Sequence, residues 1–184
     1  MKGMKSHPSL FAAAAVLVFT WSAPAWAQEP KSAAAAKELA QLMTSKKIDS
    51  IAARLPDDRE QFVSAMSFPG SLMVVWAKTT APAVVNEKLI NKEYKEVYMD
   101  LNSASIPDSK HFVTDIGADG LKFKPDTKGG PADTHDSGGK SLRFDGNWKA
   151  EKMSQADYTK AHADADEAYA KMIETLVAEL KKAG

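Results

Sequence analysis

Cysteine is absent from all 184 residues. That excludes disulfides, thiolate metal sites and cysteine nucleophiles, so the fold has to hold by packing alone. A dominant charge is lacking as well, since 24 Lys and Arg are balanced by 24 Asp and Glu. A nucleic-acid binder would show a basic excess, and a balanced chain has no electrostatic reason to seek an anionic membrane surface. No nucleic-acid partner is therefore expected. The common catalytic signatures are missing too: no Gly-x-Ser-x-Gly, no His-Glu-x-x-His, no Walker loop and no dinucleotide fingerprint. Their absence counts against the commoner hydrolases and nucleotide enzymes, and the sequence names no cofactor.

What is present begins with a leader. Lys2 and Lys5 precede an uncharged apolar run from Leu10 to Phe19, and Ala25-Trp26-Ala27 offers a small-x-small cleavage site before Gln28. These are the three parts of a secretory signal peptide over residues 1–27. The alternative is an uncleaved anchor, but the run falls short of the roughly 20 residues a spanning helix needs. Export to a periplasm or to the outside is the expectation. No transmembrane segment is expected after cleavage, because no second apolar stretch of spanning length follows. Residues 28–184 then form a single α+β domain, long enough to bury a core without covalent staples.

Along that domain, Ser32 sits where it can cap a helix running from Ala33 to about Thr44, with Ala36, Leu39, Ala40 and Met43 as its apolar stripe. A short second helix is expected over 48–55, ending before Pro56. Residues 62–68 alternate, and 71–77 are almost wholly apolar, so both read as strands. Pro69-Gly70 joins them as a turn, within a loop expected to be slightly longer than two residues. A helix is expected over 84–102 from Val85, Leu89, Ile90, Tyr94, Val97, Tyr98 and Leu101. Strands follow at 111–116 and 121–123, then a loop over 125–140 dense in Gly, Pro and Asp, mobile or functional at such length. Residues 141–148 return to alternation. Ser154 with Asp157 opens a last helix whose stripe includes Tyr158, Ala165, Tyr169, Met172, Leu176 and Leu180.

The expected fold is α+β: a mostly antiparallel sheet of four to five strands with helices packed against it, in the order α-β-β-α-β-β(-β)-α. In this order of elements, over most of residues 32–182, the chain resembles the profilin, longin and roadblock type of sensor and scaffold domain. A fold of that kind does not by itself fix a function.

Candidate chemistry is scattered. Asp115, Asp119, Gly120 and Asp126 partly overlay a calcium loop, although Gly117 leaves its third position without an oxygen. The plain alternative is a strand-ending turn. Asp133, His135 and Asp136, with Asp119, offer carboxylates and an imidazole for a divalent metal or for acid–base work, against the alternative of a solvated loop. His162 and Asp166 share a helix face, with Asp164 beside them, and salt-bridging on an exposed flank explains them most simply. Trp76, Tyr94, Tyr98 and Trp148 can line a ligand pocket or fill the core. The leading expectation is an exported, non-catalytic domain that binds a small molecule or a protein. The alternative is a metal-dependent enzyme built on residues 133–136.

Overall fold

The structure is a computed structural model and describes residues 29–55, 58–78, 86–89, 95–98 and 109–182. The described elements are α1 (Ala33–Lys46), β1 (Ser50–Leu55), β2 (Asp58–Phe68), β3 (Ser71–Lys78), β4 (Asn86–Leu89), β5 (Lys95–Tyr98), β6 (Ser109–Ile116), β7 (Asp133–Ser137), β8 (Lys140–Phe144) and α2 (Gln155–Lys182). Six strands form one antiparallel sheet in the order β1-β2-β3-β6-β7-β8, and β4 pairs with β5 in a separate two-stranded ribbon. The fold is thus α+β with an antiparallel sheet.

Alternation sorts the sheet into two faces. Ile51, Ala53, Val63, Ala65, Leu72, Val74, Val113 and Phe144 point to one side, where they meet Leu39 and Met43 of α1 and Tyr169, Met172, Ile173, Leu176 and Leu180 of α2 in one buried cluster. Each large apolar side chain buried there contributes about 1.5–3 kcal/mol. The opposite side carries a smaller cluster of Phe62, Val75 and Ala77, with Phe112 packed against it. α2 lies across β1, β2 and β3 and packs along α1. Its start follows the sequence: Ser154 Oγ accepts from the Asp157 backbone N–H at 3.1 Å and donates to the Asp157 carboxylate at 2.6 Å.

Several expectations are corrected. Residues 50–55 are strand, not helix, because Ile51 and Ala53 alternate into the core while the backbone pairs with β2. The helix expected over 84–102 is absent where the chain is described: residues 86–89 and 95–98 pair antiparallel. Short apolar runs satisfy either period, and Val97 and Tyr98 favour strands. The rest of that segment, Tyr94 included, lies outside the described residues. The order on which the resemblance to profilin-type domains rests therefore does not hold in its central element. The turn at Pro69-Gly70 is two residues long, since Phe68 pairs with Ser71, and Gly70 supplies the positive φ of 77°. Residues 121–123 are not a strand. The supposed loop over 125–140 contains β7, which turns back into β8 through Gly138 and Gly139, both at positive φ. That places Asp133 and His135 on a sheet strand between two others.

Candidate functional site

β6 hands the chain to β7 through residues 117–132, and the first part of this connection is fixed by side chains from four elements. The conformation depends on Gly117 and Gly120, both at φ 98°, with Ala118 left-handed between them. Four successive backbone N–H groups then point at oxygens of the protein itself. Those of Asp119 and Gly120 donate to the Asp115 carboxylate at 3.1 and 2.9 Å. That of Leu121 donates to Ser32 Oγ at 2.9 Å, and that of Lys122 to Asp133 Oδ2 at 2.6 Å. Runs of such donors ordinarily form an anion-binding hollow. Here the chain's own oxygens occupy it. The Leu121 carbonyl accepts from His162 Nε2 at 2.8 Å, and the Tyr169 hydroxyl donates to Asp115 at 2.9 Å.

The first turn of α1 is held from the same side. Asp166 accepts from the backbone N–H of Lys31 at 2.7 Å and of Ser32 at 3.2 Å, and from Ser32 Oγ at 2.6 Å. A carboxylate at a helix N-terminus is electrostatically favourable. Ser32 therefore does not cap α1 with its own side chain; its hydroxyl bridges α2 and the connection instead. His162 and Asp166 are both buried, which overturns their expected place on an exposed flank. Only Asp164 is exposed there, paired with Lys160.

Under the connection lies a cleft of about 170 Å³, lined by Ile116, Lys122, Pro125, Asp126, Thr127, Gly130, Pro131 and Asp133. The Lys122 ammonium lies 2.6 Å from Asp119 Oδ2 and 2.7 Å from Asp126 Oδ2. It thus occupies the middle of the partial calcium overlay, where the two carboxylates would have met a cation. Asp119 Oδ1 is buried without a hydrogen-bond partner. Burial works against the Lys122 charge, but Asp119 and Asp126 outweigh it and its pKa is raised. Burial raises Asp115 and lifts Asp133 to about 7, although Asp133 accepts two backbone N–H groups, from Ile116 at 2.7 Å and from Lys122. Burial also raises Tyr169 well above its ordinary value and lowers His162.

The proposed metal residues do not converge. Asp133 is committed to two backbone donors, and His135 faces the same side of the sheet but turns to His111, with 2.8 Å between His111 Nδ1 and His135 Nε2. Asp136 points to the other face by alternation. Among the described residues no group of three or more such ligands is placed to hold a metal ion. The aromatic candidates are no more united. Trp76 packs against His111 and donates from Nε1 to Gln61 Oε1 at 2.9 Å. Trp148 packs on the main core with Lys149 Nζ 5.2 Å from its ring centre. Tyr98 belongs to β5, and its side chain lies outside the described residues. The cleft is lined by none of these aromatics.

Sequence reasoning missed Lys122, Ser32 and the pairing of His111 with His135. The Gly138-Gly139 step between residues alternating on either side was the available signal for β7 and β8. No sequence pattern announces that a serine at position 32 reaches residue 121. Comparison with protein families, with characterised proteins and with solved structures finds no match to this chain.

Proposed function

We propose that this chain is an exported, non-catalytic binding domain, and that the cleft under residues 117–132 takes a small polar ligand bearing hydrogen-bond donors, such as a primary amine. The observation that carries this reading is the wall chemistry. Asp126, largely exposed, offers acceptor oxygen to the cleft, and the one ammonium in the lining, Lys122, is already neutralised by Asp119 and Asp126. An anion would meet surplus carboxylate; an amine would meet acceptors. Part of the wall is also preformed, because the backbone N–H groups of Ile116 and Lys122, both in the lining, donate to the Asp133 carboxylate beside them. At about 170 Å³ the cleft is below the roughly 300 Å³ at which drug-sized ligands begin, so the ligand is small. Export is supported by the leader at residues 1–27.

Calorimetric titration of the protein with a monoamine, a diamine, a neutral amino acid and inorganic phosphate tests the ligand class. Binding of an amine, weakened in Asp126→Ala, is expected. Phosphate binding in preference to amines, or no heat with any of them, sinks the reading. Intact mass of the secreted or periplasmic product tests export: the chain is expected to begin at Gln28, and recovery of Met1 on material from the cell interior would refute it.

A further inference from the structure

Trp76, His111 and His135 lie side by side on β3, β6 and β7, on the face of the sheet that meets the helices. Trp76 pairs with His111 across β3 and β6, and Val113, two residues on from His111, pairs with His135. The imidazoles of His111 and His135 are 2.8 Å apart from Nδ1 to Nε2, their planes differ by 16°, and their ring centres are 5.1 Å apart. That centre-to-centre distance is the largest that so short a nitrogen contact permits. The rings are therefore edge to edge and nearly coplanar, with the two nitrogens on the line joining their centres. One ring donates its N–H and the other accepts along that line. His135 is 8% exposed, so the contact is largely shielded from water.

This geometry selects among metals. Tetrahedral and octahedral ions need lone pairs that converge at an angle. Collinear lone pairs suit an ion that prefers two ligands in a line, which is the habit of monovalent ions with a filled d shell. Imidazole is an accepted ligand for copper. We propose that His111 and His135 form a two-coordinate site for a soft monovalent cation, Cu⁺ or Ag⁺, which takes the place of the hydrogen between Nδ1 of His111 and Nε2 of His135. The displaced hydrogen moves to the outer nitrogen of the ring that carried it. Both imidazoles stay neutral, no proton leaves and no electron is transferred. Two metal–nitrogen bonds near 2 Å placed end to end span about 4 Å, so the contact must widen by roughly 1 Å. β7 ends at Ser137, two residues beyond His135, where the chain turns at Gly138 and Gly139, so the His135 side of the pair lies near a strand end. The site is separate from the cleft, whose lining includes neither histidine, and it does not rest on the amine-binding reading.

The test uses the mature protein, kept anaerobic for Cu⁺. Competition against a coloured Cu⁺ chelator and calorimetry with Ag⁺ should each give one equivalent bound, with Zn²⁺ markedly weaker. His111→Gln and His135→Gln should each weaken Ag⁺ binding at least about tenfold, a loss seen even when only a residue supporting a metal ligand is removed. Unchanged binding in both variants, as sites at methionine would give, overturns the proposal; so does Zn²⁺ binding as tight as Ag⁺, or no binding at all. Circular dichroism checks that the variants fold. Should either fail to fold, imidazole ¹⁵N shifts of the unsubstituted protein decide the matter. Ag⁺ should move Nδ1 of His111 and Nε2 of His135, and an unmoved pair refutes the site.

Discussion

Asp133 and His135 are two positions apart on β7 and are perturbed in opposite directions. Burial lifts Asp133 from 3.8 to about 7 and lowers His135 from 6.5 to about 4. For Asp133, the unfolded chain gives up its proton between those two values while the folded chain keeps it, so this group's contribution to stability falls as pH rises from about 4 to 7. For His135, the unfolded chain holds a proton that the folded chain lacks, so its contribution rises with pH from about 4 to 6.5 and is lost on acidification through that window. Each effect is on the order of 3 kcal/mol. Over the shared window they oppose each other. Urea unfolding at several pH values should therefore separate them. Asp133→Asn should tilt the stability–pH curve upward between pH 4 and 6.5, and His135→Gln should tilt it downward. Two parallel curves would show that neither group titrates as its burial demands.

Among the elements, the connection from β6 to β7 is the one whose details depend most on single atoms. A Cβ on Gly120 would lie 2.7 Å from the backbone N and Cα of Ala33, and the residue sits at φ 98°. Gly120→Ala should cost about 3 kcal/mol or more, read from the shift in the unfolding midpoint. Ser32→Ala removes a donor to Asp166 and an acceptor for Leu121 N–H inside the protein, and should cost about 1–3 kcal/mol. Ser154→Ala, at the exposed start of α2, should cost about 1 kcal/mol. The contrast between these sites also explains what the sequence could disclose. Period located α1, α2 and β2, because each presents a repeating apolar face to the core, and a nearly unbroken apolar run located β3, which buries side chains on both of its faces. Period failed at 50–55, where Ala52 and Ala53 suit a helix but pairing with β2 decides, and at 133–137, where Asp, Thr and His look like loop but serve a strand between two partners. At the candidate site, the carboxylates Asp115, Asp119, Asp126 and Asp133 were visible and their partners were not. Asp133 with Lys122 N–H, and His162 with the Leu121 carbonyl, join positions 11 and 41 residues apart through the fold.

For the molecule as a whole, α2 supplies a large part of the apolar cover and, through His162, Asp166 and Tyr169, some of the polar fixings. Tyr169, Met172, Ile173, Leu176 and Leu180 are all fully buried or nearly so. Their burial amounts to roughly 10 kcal/mol, comparable with the entire stability of an ordinary domain. A chain ending at Asp164 should therefore show no cooperative thermal transition by circular dichroism, and a native-like transition would contradict the role given to α2. Asp166 holds the backbone of Lys31 and Ser32 across 135 and 134 positions of sequence. Synthesis thus reaches the partner of the first helix only well after the helix itself, so the start of α1 goes without these contacts until α2 has been made. The clasp of Asp166 on the first helix is therefore a late closure, and the burial of that carboxylate waits for α2 to enclose it.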